Sequence, residues 1–172
     1  MNPAQYSAME TMRDGRPLEI RALQPADRDQ LLGALDRMSD ETIRRRFFGP
    51  KRHFDPKEVA YYTEVDFADH VALVAVVEEN GRAVIVGGAR YIVSKPGAAE
   101  IAFAVDDAHQ GQGIGPLLMR HLLEIARRAG LSELYAEVLP GNTAMLKVFE
   151  RSGLSATTRR DAGVVLVTLP LV

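Results

Sequence analysis

The chain of 172 residues has no cysteine and no tryptophan. Without cysteine there are no disulfides, no thiolate zinc sites and no thiol nucleophile, and the composition fits a reducing compartment. Long hydrophobic runs are also missing. The longest, Val71 to Val77, is far too short to span a bilayer. The N-terminal stretch MNPAQYSAMETMRDGRPLEI lacks the apolar core of a secretory signal. Nor is there a large excess of either charge: the formal net charge of −2 argues against a general binder of nucleic acid or anionic membranes. A cytoplasmic protein that binds neither nucleic acid nor membrane is expected.

What is present is the balance of a soluble domain, with 47% hydrophobic and 26% charged residues. The length suits one domain with a sizeable core. Residues 1–17 are polar and are expected to be a flexible tail, with the domain running over 18–172. PLEIRAL reads as a strand. QPADRDQLLGALDRM follows with leucines at helical spacing and Pro25 at the helix start. SDETIRRRFFG predicts a helix capped by Ser39, and DPKEVAYYTEV one capped by Asp55 with Pro56 in its first turn. From residue 70 two β-branched runs flank Asn80-Gly81, a type I′ hairpin signal. EIAFAV (100–105) is a further strand, followed by a long helix, a strand, a helix and two last strands. This order predicts an α/β (α+β) fold, a mixed central sheet flanked by helices.

The most informative stretch is VDDAHQGQGIGPLLMRHLLEIARRAG, residues 105–130. Gly111, Gly113 and Gly115 alternate directly before an amphipathic helix whose apolar face is Ile114, Leu117, Leu118, Leu122 and Ile125. The first-turn amides of a helix have no partner within it and carry a partial positive charge. Glycines let an anion approach them closely, so a pyrophosphate suits the geometry. The G-x-G-x-G spacing is not that of a dinucleotide-binding turn. Pro116 and Leu117 stand where a P-loop needs Lys and Ser or Thr. A purely structural turn stays open on these residues alone.

The segment VDDAHQGQGIG after a strand, the long helix, a strand and then PGNTAMLKVFERSGL resemble the GNAT superfamily of acyl-CoA-dependent N-acetyltransferases. The family signature Gln/Arg-x-x-Gly-x-Gly/Ala is met by Gln110, Gly113 and Gly115. The resemblance covers residues 18–170. MSDETIRRRFFGPKRHF and the Glu-containing strand EIAFAV also look like the acetyltransferase domain of bacterial protein lysine acetyltransferases that act on acyl-CoA synthetases. The resemblance implies a single-domain GNAT fold, acetyl-CoA as co-substrate, and a protein acceptor such as an acyl-CoA synthetase, while the spacing of the histidines predicts no metal site. It leaves the oligomeric state open.

Carried onto this chain, the resemblance implies that Gln110, Gly111, Gln112, Gly113, Ile114 and Gly115 wrap the pyrophosphate. The preceding strand would hold the pantetheine arm through the main chain of Phe103 and Val105, whose peptide groups face the same edge. Asn142 is a helix N-cap by preference and, by resemblance, a contact for the CoA arm. Phe149 occupies the position where many members carry a tyrosine that protonates the leaving thiolate, which a phenyl ring cannot do. An amine acceptor with an unperturbed pKa of ~10.4 needs roughly 4.6 kcal/mol to reach its nucleophilic form at neutral pH. Glu100, on a face with Ala102 and Ala104, matches the family's general base; Glu137 is the reserve candidate. Of the histidines, His109 is expected to be a solvated turn residue, His121 to lie beside the apolar helix face, and none to form a metal pair. The run TIRRRFFGPKRH is expected to be a solvated helix with a buried Phe pair, bordering the acceptor cleft. The expected activity is direct acetyl transfer to an amine, foremost a protein lysine. Transfer to a small amine, or acyl-CoA binding without catalysis, are the alternatives.

Overall fold

In a computed structural model describing residues 1–172, the apolar run at 71–77 becomes the middle of the sheet. It lies in β3 (His70–Glu79), whose first eight residues are buried. Burial on both faces explains why the sequence is continuous rather than alternating. Val71, Leu73, Ala75 and Val77 face a core of 28 buried residues that includes Leu118, Leu122 and Ile125 of α4 (Ile114–Arg128). Ala72, Val74 and Val76 face the other way, into a cluster of six with Ala34 of α1 (Arg28–Arg37). One face therefore carries most of the apolar packing.

β3 turns into β4 (Arg82–Lys95) through Asn80 and Gly81, both at positive φ (52° and 75°), as a type I′ turn requires. The other strands are β1 (Ser7–Thr11), β2 (Pro17–Ala22), β5 (Ala98–Val105), β6 (Glu133–Val138), β7 (Thr157–Asp161) and β8 (Val164–Pro170). Their spatial order is β1-β2-β3-β4-β5-β6-β8-β7. Every pair is antiparallel except β5–β6. Helices α2 (Asp40–Phe47) and α3 (Pro56–Thr63) follow α1, and α5 (Thr143–Glu150) sends Phe149 into the α4 core. Ser39 caps α2 by accepting from the Thr42 amide. Asp55 and Glu58 form a reciprocal capping box at α3. The mixed α/β sheet flanked by helices is the expected fold class.

The N-terminus differs from the expected tail. Ser7–Thr11 pairs with β2 along its whole length, and Met12 is 2% exposed within the main core. The strand is illegible in sequence because its pattern is inverted: Met9 faces solvent while Glu10 turns inward. His121 Nε2 bonds Glu10 at 2.7 Å and Arg120 pairs with it as well, so the inward carboxylate is satisfied.

The feature that positions the site is an incomplete pairing. β5 follows β4 along its whole length but pairs with β6 only at Ala98, Ala99 and Glu100. Beyond Tyr135, β6 continues with β8 alone as far as Val138. The two central strands splay apart immediately after Glu100.

Candidate active site

On the open edge of β5, the direction of the peptide groups follows from one bond. The Asp106 amide donates to Val86 O on β4 at 2.8 Å. Since a strand alternates, Phe103 and Val105 turn their peptide groups away from β4 and into the splay. The Val105 carbonyl indeed accepts from the Gln110 side chain at 3.0 Å, on that side.

The loop that follows is held from below by a buried clamp. His109, expected to be solvated, is 7% exposed. Its Nδ1 meets Asp106 Oδ1 at 2.6 Å and its Nε2 meets Glu79 Oε1 at 2.9 Å. Asp107 accepts from the Ser39 amide, the Ser39 hydroxyl and the Thr42 hydroxyl, which ties α2 to the same loop. Above the clamp, Gly111 and Gly113 sit at φ 80° and 85°, where a side chain would be strained. Gly115 is different. It lies in the first turn of α4, where a Cβ would meet Val148 at ordinary contact distance, 3.5 Å.

None of the amides of Gly111, Gln112, Gly113, Ile114 and Gly115 donates to an acceptor within the chain, and no side chain caps α4. With Pro116 lacking an N–H, the helix start is an uncompensated positive pole. It opens into a cleft of about 600 Å³ lined by Phe103, Val105, Gln110, Gly111, Gly113, Ile114, Gly115 and Asn142. Arg13, Arg45, Arg46, Lys147 and Arg151 also line it, and no carboxylate does. Such a cleft suits a polyanion. Gln112 keeps its amide free while its carbonyl accepts from the Arg13 amide and its side chain from the Asp14 amide. Asn142 caps α5 by accepting from the Met145 amide at 3.2 Å.

Glu100 stands at the vertex of the splay, in a crevice shared with Arg46, Phe103, Glu137, Asn142 and Phe149. Burial raises the pKa of its carboxyl, and the neighbouring charge of Glu137 adds to the rise, while Arg46 opposes it. A carboxylate made more basic by its surroundings is suited to accept a proton. Phe149 is 2% exposed and meets Phe103 edge to face at 5.9 Å, so it offers packing and no proton. The Phe pair of α2 is not buried as expected. Phe47 is half-buried against Phe54 and Tyr62, whereas Phe48 is 44% exposed and closes the helix at φ 61°.

A family model described as the acetyltransferase (GNAT) family matches residues 38–154. The chain belongs to that family. As a GNAT acetyltransferase it is similar to acetyltransferase PA5475 of Pseudomonas aeruginosa, 34% identical over 80% of this chain and 74% of that protein. Acetyltransferase Pat of Mycolicibacterium smegmatis is 35% identical over 90% of this chain but only 46% of its own length. This chain thus spans about half of that relative. The GNAT domain of S. lividans PAT matches in structure with a TM-score of 0.85 at 33% identity, over 95% of this chain and 96% of that one. The GNAT fold expected from the glycine loop is the fold found, and the protein is an acetyl-CoA-dependent acetyltransferase.

Arg13 is a site residue that sequence reasoning missed. It reaches Gly111 O at 3.2 Å from the turn between β1 and β2. In sequence it lies in the supposed tail, 98 positions from its partner, and nothing local marks it. Arg90 is also unmarked in sequence: it is a strand residue in an apolar run, and its contacts come from α3 and β3.

Proposed function

We propose that this acetyltransferase transfers the acetyl group of acetyl-CoA to the side-chain amine of a protein lysine, by direct attack in a ternary complex. The observation that carries the transfer reading is the splay after Glu100, flanked by a row of unpartnered amides at residues 111–115. The pyrophosphate would bind those amides, with Gln110 to Gly115 around it. The pantetheine would lie along Phe103 and Val105 as an added strand, passing Asn142. The thioester would then lie near the vertex, beside Glu100.

The acceptor nitrogen attacks the thioester carbonyl carbon. The oxyanion forms next to a free peptide N–H of the splayed strand, collapses, and breaks the C–S bond. Glu100 takes the proton released by the amine, and the products are an amide and CoA. With Phe149 in place of a hydroxyl, the thiolate leaves by gaining its proton from water. Direct attack is favoured because the chain has no cysteine to carry an acyl group.

The lysine acceptor is supported by the similarity to Pat and to the GNAT domain of PAT, and by the resemblance of MSDETIRRRFFGPKRHF to protein lysine acetyltransferases that act on acyl-CoA synthetases. Incubation with acetyl-CoA and a panel of acyl-CoA synthetases, other proteins and small amines tests it, with mass spectrometry locating any added acetyl group. Modification of a single synthetase lysine is expected. Acetylation confined to small amines would refute the protein acceptor.

A further inference from the structure

Under α1, α2 and α3 the sheet face is not fully packed. A cavity of about 60 Å³ remains between helix side chains and the small residues Gly88, Ala102 and Ala104. Its lining is mostly apolar, yet it holds two guanidinium groups, Arg46 from α2 and Arg90 from β4, and no carboxylate. Arg90 donates to Tyr62 O at 3.1 Å and to His70 Nε2 at 2.9 Å. Neither partner carries negative charge: burial, with Arg90 beside it, holds His70 down to about 4, so the ring is neutral. Arg46 makes no hydrogen bond and no ion pair. Its guanidinium rests over the Phe47 ring at 4.6 Å and near Tyr62 at 6.0 Å.

Two half-buried cations that repel each other without a counter-ion are costly. The chain has 23 acidic residues and places none of them here. Glu100 is the one carboxylate whose field reaches Arg46, and the two do not form an ion pair although they border one crevice. The acceptor side thus offers an unpaired anion at the vertex and an unpaired pair of cations beside it. A ligand bearing both an amine and a nearby carboxylate complements that arrangement.

We propose that the acceptor carries a carboxylate close to its reacting amine, and that Arg46 and Arg90 receive this carboxylate while Glu100 receives the amine. The inference rests on the acetyl-transfer reading and names the acceptor class for it. The carboxylate belongs either to an acidic side chain beside the target lysine or to the α-carboxyl of a small amino acid.

The test uses two matched pairs of acceptors: blocked peptides with Lys beside Glu or beside Gln, and free lysine against lysine amide. Release of the CoA thiol gives kcat/KM for each. In at least one pair the carboxylate member is expected to be favoured about tenfold or more, and that pair identifies the source. In Arg46→Gln the ratio within the pair falls to near one, and Arg46→Lys keeps part of it. A purely structural role would lower both members equally and leave the ratio unchanged, which overturns the proposal. Equal rates in wild type for both pairs also overturn it. So does an Arg46-dependent preference for succinyl-CoA over acetyl-CoA, which would place the carboxylate on the donor. Acetyl-CoA binding with no turnover of any acceptor would instead remove the transfer reading, and this inference with it.

Discussion

The two faces of the sheet are built on different terms. The α4 face closes over 28 buried residues, and its leucines at 118 and 122 are fully buried. The α1–α3 face has a cluster of six, a residual cavity and two half-buried arginines without an acidic partner. Same sheet, opposite priorities. Apolar closure on one side holds the strands in place, so the other side can keep charges that would destabilise a core. The glycine loop belongs to the stable side, because it leads directly into α4. On the α1–α3 side, packing is looser where the proposed acceptor would bind.

Truncations should expose this asymmetry. Leu122→Ala is expected to cost about 2–5 kcal/mol in urea unfolding, as for a fully buried leucine whose site cannot collapse. Leu31→Ala on the other face, only partly buried, should cost well under half of that. Equal losses would show that the faces share the load.

Chemistry should separate from stability at Glu100. Glu100→Gln is expected to lower turnover by about 10²-fold or more while leaving the acetyl-CoA Kd nearly unchanged. The folded protein holds this proton more tightly than the unfolded chain, since burial and Glu137 raise the pKa. Stability contributed by the protonated form is therefore lost as pH rises through the unfolded and then the folded pKa. At neutral pH the Gln variant should be no less stable than wild type. Wild-type activity should rise with pH through the raised pKa, above the ordinary glutamate value, and that limb should vanish in the variant. Unchanged turnover would take Glu100 out of the mechanism.

On the donor side, Gly113→Val should weaken acetyl-CoA binding by about tenfold or more. The space beside Gly113 is open, so the effect comes from forcing φ away from 85° and from screening the amides, with a stability cost of about 1–2 kcal/mol. Binding as tight as wild type in calorimetry would refute the pyrophosphate cradle. The smallest effect is expected from Arg13→Gln, a loss of roughly threefold in acetyl-CoA affinity that shrinks further as salt is raised.

Where local chemistry dictates structure, the sequence was legible. Asn80-Gly81 set the hairpin, Ser39 and Asp55 set helix starts, and the glycines before Ile114 announced the start of α4 and with it the family fold. The misreadings share a cause: each depends on partners far along the chain. Glu10 faces inward because His121 and Arg120 meet it. His109 is buried because Glu79, 30 positions earlier, completes its clamp. Arg90 and Arg46 converge only when β4 and α2 are stacked. Periodicity also failed at Phe48, which looked like half of a buried pair but serves as the left-handed end of α2.

The missing pairing between β5 and β6 has a thermodynamic side. A sheet that stops short of completion leaves peptide groups for a ligand to finish, and under the proposed binding mode the co-substrate would double as a structural strand. Acetyl-CoA at a hundredfold excess over its Kd would add about 2.7 kcal/mol to folding stability. The amides of Phe103 and Val105, which face the splay, would then exchange with solvent at a rate set by the acetyl-CoA supply, and the lifetime of the folded enzyme would report on the metabolite it consumes.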